Sequence, residues 1–126
     1  MAERWSARSR ALVVDDVALE RERIAGILSA AGWEVELAAS GRDAIARARA
    51  ERPNIIFMDI VMPDMDGFET CRRLAADPST RAIPVVFVST KNQRADQLWA
   101  RMQGGKALIG KPYVPADLID ALRYAQ

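Results

Sequence analysis

Four short runs in this chain are apolar at every position: Ala11-Leu12-Val13-Val14, Ile55-Ile56-Phe57-Met58, Val85-Val86-Phe87-Val88 and the shorter Leu108-Ile109. A stretch with helical periodicity follows each of them. Such runs need apolar cover on both faces, which a parallel sheet between two helix layers supplies. A fifth run, in which Val35 and Leu37 alternate with Glu34 and Glu36, reads as a half-exposed strand at a sheet edge; the other four are expected in central positions. The first helix carries Ile24, Ile27, Leu28 and Ala31 on one stripe and stops at Gly32. An Ala/Arg-rich helix runs from Gly41 to Glu51 and ends at Pro53, and a third contains Phe68, Cys71 and Leu74. The fourth, with Leu98, Trp99 and Met102, closes at Gly104-Gly105, and the last starts near Pro115. Alternating strands and helices require right-handed crossovers and a parallel sheet. The 126 residues suffice for one domain. The count matches a flavodoxin-like (βα)5 doubly wound α/β fold, a five-stranded parallel sheet with helices on both faces. Residues 1–9, with Arg4, Arg8 and Trp5, read as a flexible basic arm, and 10–126 as the folded domain.

Composition removes whole classes of chemistry. There is no histidine, so Ser-His-Asp and Cys-His catalysis, imidazole metal ligation and phosphohistidine on this chain are excluded. The net charge is +1, and the arginines are interleaved with acids, as in Arg21-Glu22-Arg23, which speaks against direct nucleic-acid binding. No apolar run approaches the roughly 18 residues of a membrane span. The basic start lacks the apolar core of a secretory signal. The single cysteine, Cys71, cannot make an intrachain disulfide, so a cytoplasmic location is expected.

In open parallel sheets, ligands bind beyond the carboxyl ends of the strands. Asp15 and Asp16 follow the first run, Asp59 the third strand, Ser89 and Thr90 the fourth, and Gly110-Lys111-Pro112 the fifth. Three carboxylates, two hydroxyls and an ammonium therefore share one rim. At an effective dielectric near 20, two carboxylates about 4 Å apart repel by roughly 4 kcal/mol. Protonation or a cation must relieve that. Lys111 supplies one charge, and the remaining excess suits a hard divalent ion, Mg²⁺ before others. With a phosphoryl donor present, the metal, Ser89 and Lys111 could each hold one phosphoryl oxygen while an Asp59 oxygen attacks in line. Taken singly, each piece has an ordinary reading. Asp16 could be a helix N-cap, Ser89 or Thr90 a turn residue, and Lys111-Pro112 a plain loop. Together they fall at one rim and none at the other.

These residues resemble the receiver domain of bacterial two-component response regulators (CheY-like). The matching pieces are Val13-Val14-Asp15-Asp16, Met58-Asp59-Ile60-Val61-Met62-Pro63-Asp64-Met65-Asp66-Gly67, Pro84-Val85-Val86-Phe87-Val88-Ser89-Thr90 and Lys111-Pro112. Their order fits from Arg10 to Tyr124. The resemblance implies a phosphorelay protein that accepts a phosphoryl group on Asp59 from a sensor histidine kinase. It implies Asp16, Asp59 and the Val61 carbonyl as Mg²⁺ ligands, with Asp15 acting on the metal through water. Ser89 takes the switch-hydroxyl position and Lys111 that of the lysine, with a cis Lys111–Pro112 peptide. The stretch Ser89-Thr90-Lys91-Asn92-Gln93 through Trp99 and Gln103-Gly104 resembles the small receivers of type IV pilus chemosensory (twitching-motility) systems, the PilH/PilG type. That makes a CheA-like kinase the expected donor. A chain ending where a receiver ends is expected to stand alone, with Met1 as its true start.

Two positions depart from the family pattern. Leu108 stands where an aromatic is usual three residues before the lysine, so aromatic–hydroxyl coupling is in question; its ordinary reading is core. Val61, two residues past Asp59, offers no polar group to orient a hydrolytic water, and Lys91 lies across the site, so self-dephosphorylation is expected to be slow. Helical spacing predicts partial burial of Leu98, Trp99 and Met102; the alternative is a partner contact on the face made by the fourth helix, fifth strand and fifth helix. The preferred reading is a signalling switch and not an enzyme. A haloacid-dehalogenase-type phosphatase would need a second Asp where Val61 stands, and a phosphorylation-independent adaptor would leave these charged residues without use. A dinucleotide enzyme is excluded because no G-x-G-x-x-G follows the first strand.

Overall fold

A computed structural model describes residues 9–126. Its elements alternate strictly in chain order: β1 (Arg10–Val14), α1 (Ala18–Ala30), β2 (Glu34–Ala38), α2 (Gly41–Glu51), β3 (Ile55–Met58), α3 (Gly67–Ala76), β4 (Val85–Ser89), α4 (Arg94–Met102), β5 (Ala107–Gly110) and α5 (Pro115–Ala121). A single 3₁₀ turn, Leu122–Tyr124, follows. The five strands form one parallel sheet in the order β2-β1-β3-β4-β5. The expected flavodoxin-like arrangement is present, and strand order reverses between β1 and β3.

The two-residue period of each strand sorts its side chains into two cores. Ala11, Val13, Ile55, Phe57, Val86 and Val88 face α1 and α5, meeting Ile24, Leu28 and Leu118. Leu12, Val14, Ile56, Met58, Val85 and Phe87 face the other way, onto Ala44 and Ala48 of α2, Phe68, Cys71 and Leu74 of α3, and Ala100 of α4. Small residues on α2 and α4 let those helices lie close to the sheet. Gly105 serves the same end, because a Cβ there would press on the Phe87 ring.

Three details differ from the sequence expectations. The Leu108-Ile109 strand is the second edge, not a central strand: an open sheet has two edges, and of β5 only Leu108 is buried. Ser9, assigned to the arm, is buried, and its carbonyl accepts a hydrogen bond from the Glu34 N–H at 3.0 Å, so it already borders the sheet. The rest of that arm, Trp5 included, lies outside the described residues. Leu98, Trp99 and Met102 are 63, 46 and 64% exposed, because α4 packs through Ala100 instead. The ordinary alternative for Asp16, a helix N-cap, is not realised: the N-cap of α1 is Val17, without a side-chain cap.

Candidate functional site

β1 and β3 are adjacent parallel strands that end side by side, with Val14 paired to Met58. The next residues, Asp15 and Asp59, therefore leave the sheet together at the point where strand order reverses. Asp15 is 1% exposed and Asp59 9%. Asp16 points outward at the mouth of the site. Carboxylate oxygens from Asp15, Asp16 and Asp59 all lie within 4.8 Å of one another.

Lys111 reaches this cluster from the end of β5. Its Nζ donates to Asp15 Oδ2 at 2.8 Å and to Asp59 Oδ2 at 3.1 Å. The Lys111–Pro112 peptide is cis, as the resemblance implied. The Lys111 N–H bonds the Ser89 carbonyl at 3.0 Å, which ties the lysine to the end of β4. Burial alone would lower the Lys111 pKa, but the bonds to both aspartates and their charges outweigh it and hold it above the ordinary lysine value. Burial pushes the Asp15 carboxyl up, against the pull of Lys111 and of the Val17 N–H, which donates to Oδ1 at 2.9 Å.

The chain after β3 folds back around Asp59. The Ile60 and Val61 N–H groups donate to its Oδ1 at 2.6 and 3.3 Å. Met62 and Met65 pack beneath the loop, and Asp66 caps α3 by accepting the Glu69 N–H at 2.8 Å. Val61 is thus placed by its backbone at the acceptor carboxylate, while its side chain is 58% exposed.

Ser89 is fully buried at the rim, and its hydroxyl accepts the Lys91 N–H at 3.2 Å. Thr90, grouped with it on sequence, is exposed and makes no hydrogen bond to the carboxylates or to Lys111. Leu108 is buried among the α2, α3 and α4 side chains, its ordinary reading. Glu20 was missed on sequence: its Oε1 stands 3.8 Å from Lys111 Nζ. Its place in the first turn of a helix that starts above the rim was the available signal.

Three carboxylates against one ammonium leave two negative charges. The donors are all hard oxygens with one side open to solvent, so Mg²⁺ fits them in charge and in ligand chemistry.

Residues 11–123 match the response regulator receiver domain family. The chain belongs to that family. It is 41% identical to protein PilH of Pseudomonas aeruginosa over 114 residues, covering 90% of this chain and 94% of that one. It is 31% identical to protein PilG of the same organism over 121 residues, covering 96 and 90%. Among solved structures, the chemotaxis protein CheY4 of Vibrio cholerae superposes with a TM-score of 0.87 at 30% identity, covering 94% of this receiver and 98% of that chain. Likeness to PilH over nearly the whole chain supports the PilH/PilG type. Receiver domains bind Mg²⁺ at an acidic pocket, and Asp15, Asp16 and Asp59 form a cluster here that could hold a metal ion.

Proposed function

We propose that this receiver is a phosphorylation switch: Asp59 takes a phosphoryl group from the phosphohistidine of a sensor kinase in a Mg²⁺-dependent reaction, and the modification changes what the domain binds. The observation that carries this reading is the single ammonium of Lys111 bonded at once to Asp15 and Asp59. An Asp59 oxygen forms the new O–P bond as the donor's P–N bond breaks, and the imidazole nitrogen keeps the bonding pair. Lys111 is in place to meet a phosphoryl oxygen, and Ser89 supplies a hydroxyl from the end of the neighbouring strand. Asp16, Asp59 and the Val61 carbonyl would hold Mg²⁺, with Asp15 alongside. The ion would neutralise charge developing on the phosphoryl oxygens.

The domain acts as a stoichiometric switch and not as an enzyme turning over phosphate esters, since no acid or base stands at Val61. Its expected donor is a CheA-like kinase of a twitching-motility system, following the likeness to PilH. The expected output surface is α4–β5–α5, where Leu98, Trp99 and Met102 lie exposed beside Arg94 and Arg101. Its place of work is the cytoplasm, where such kinases present their phosphohistidine; among the described residues no helix is long and apolar enough to cross a membrane.

The test is incubation with acetyl phosphate and Mg²⁺, read by intact mass. Wild-type protein should gain one phosphoryl group, and Asp59→Ala should gain none. An unmodified wild type, or equal modification of both, overturns the reading.

A further inference from the structure

Lys111 has a third carboxylate neighbour that the switch just proposed does not use. Glu20 Oε1, on α1, lies 3.8 Å from Nζ, an ion pair too long to be a hydrogen bond. That oxygen is buried and has no hydrogen-bond partner. The other, Oε2, stands 3.9 Å from Nη1 of the exposed Arg23. Glu20 is therefore held between two cations and hydrogen-bonded to neither.

Buried carboxylate oxygens are rarely left without a donor. An ammonium has three N–H groups, and Lys111 uses two of them on Asp15 and Asp59. A movement of Nζ by roughly 1 Å toward α1 would bring the Glu20 contact to hydrogen-bond length. The hydroxyl of Tyr113 is a second buried polar atom without a partner on this side of the site. Burial, then the charge of Glu20, holds that hydroxyl's pKa above the ordinary tyrosine value, so the two groups sense each other. The α1 side of Lys111 thus holds two buried polar atoms without hydrogen-bond partners, and of the two only Glu20 carries a charge that attracts the ammonium.

We propose that Glu20 is a positioning residue for Lys111: its carboxylate competes with Asp59, and with an incoming phosphoryl oxygen, for the same ammonium, and so restrains phosphorylation by anionic donors. The inference rests on the reading of Asp59 as phosphoacceptor. Loss of the Glu20 charge frees Lys111 for the phosphoryl oxygen and removes one repulsion felt by the donor.

The experiment measures the rate of phosphorylation of the full chain by acetyl phosphate against donor concentration, with Mg²⁺ present. Glu20→Gln should react about threefold faster or more at low donor, through a lower apparent KM, with the saturated rate little changed. Glu20→Asp, which keeps the charge, should stay near wild type. Tyr113→Phe, which removes the neighbouring buried hydroxyl but no charge, should also stay near wild type, and thermal unfolding midpoints report whether each variant is folded. A Glu20→Gln rate equal to or below wild type overturns the proposal, as does the same acceleration in Glu20→Asp or Tyr113→Phe. Should wild-type protein take no phosphoryl group, the switch reading falls and this one with it; a phosphorylated wild type with an unaffected Glu20→Gln overturns this one alone.

Discussion

Gly67 lies against Asp59 so closely that a Cβ on it would overlap the Asp59 carbonyl oxygen and crowd the Ile60 Cα at 2.9 Å. The Gly67 N–H donates to the Ile60 carbonyl at 2.7 Å, which fixes the approach. The clash would be with backbone, so no side chain can swing aside to relieve it. Gly67→Ala should therefore cost about 1–3 kcal/mol, seen as a lower urea midpoint at unchanged slope. It should also slow phosphorylation, because the start of α3 and the loop that aims Asp59 must separate.

Asp16 holds its carboxylate within 4.8 Å of two others while contributing nothing to the core. Asp16→Asn should raise stability by up to about 1 kcal/mol in the absence of metal, by removing like-charge repulsion. The same change should weaken Mg²⁺ binding by at least about tenfold. Urea unfolding in chelator and a Mg²⁺ titration followed at the Val61 amide would read the two effects separately. Opposite signs would show that this carboxylate is kept for the ion and not for the fold.

Most of this arrangement was legible because strand ends are easy to find. An apolar run that stops at Asp15, Asp59, Ser89 or Lys111 marks both the strand and the rim. That Lys111 meets the carboxylates followed from placing the strand ends at one rim, and the structure adds that it bonds Asp15, 96 residues away. What stayed hidden depends on helix rotation and depth, which periodicity does not set. Trp99 has helical spacing with Leu98 and Met102, yet α4 turns Ala100 to the sheet and leaves all three outside. Thr90 follows Ser89, but the two-residue period of a strand sends neighbours to opposite sides. Glu20 carried no motif, and only the placement of α1 brings it to Lys111.

Cys71 gives a pH dependence that can be signed in advance. Burial pushes its thiol up from 9.0 to about 11, only partly offset by Arg72. Below pH 9 the thiol is protonated in both folded and unfolded chains, and its contribution to stability is fully present. Above 9 the unfolded chain releases the proton while the fold retains it up to about 11, so stability falls across that window. The loss should amount to roughly 2–3 kcal/mol. Urea midpoints between pH 8 and 11 should slope less steeply for Cys71→Ala. At pH 8 the native thiol should resist alkylation until denaturant exposes it.

Loss of the phosphoryl group requires a water aligned opposite the Asp59 oxygen, and the side chains at the mouth of the site decide whether one is held there. Val61 has its backbone N–H turned to Asp59 and an apolar side chain 58% exposed, so it offers a water nothing to bond. Across the site, Lys91 is drawn to Asp96 at 3.1 Å and away from service as a donor. Dephosphorylation should accordingly be slow, with label persisting for minutes, not seconds, once donor is removed. Val61→Asn places a carboxamide at the same exposed position with the backbone bond to Asp59 intact. It should speed the loss by about tenfold, the factor that one net hydrogen bond of about 1.4 kcal/mol to the attacking water supplies. An unchanged rate in Val61→Asn would assign the restraint to another group, and Lys91→Ala would be the next variant to time.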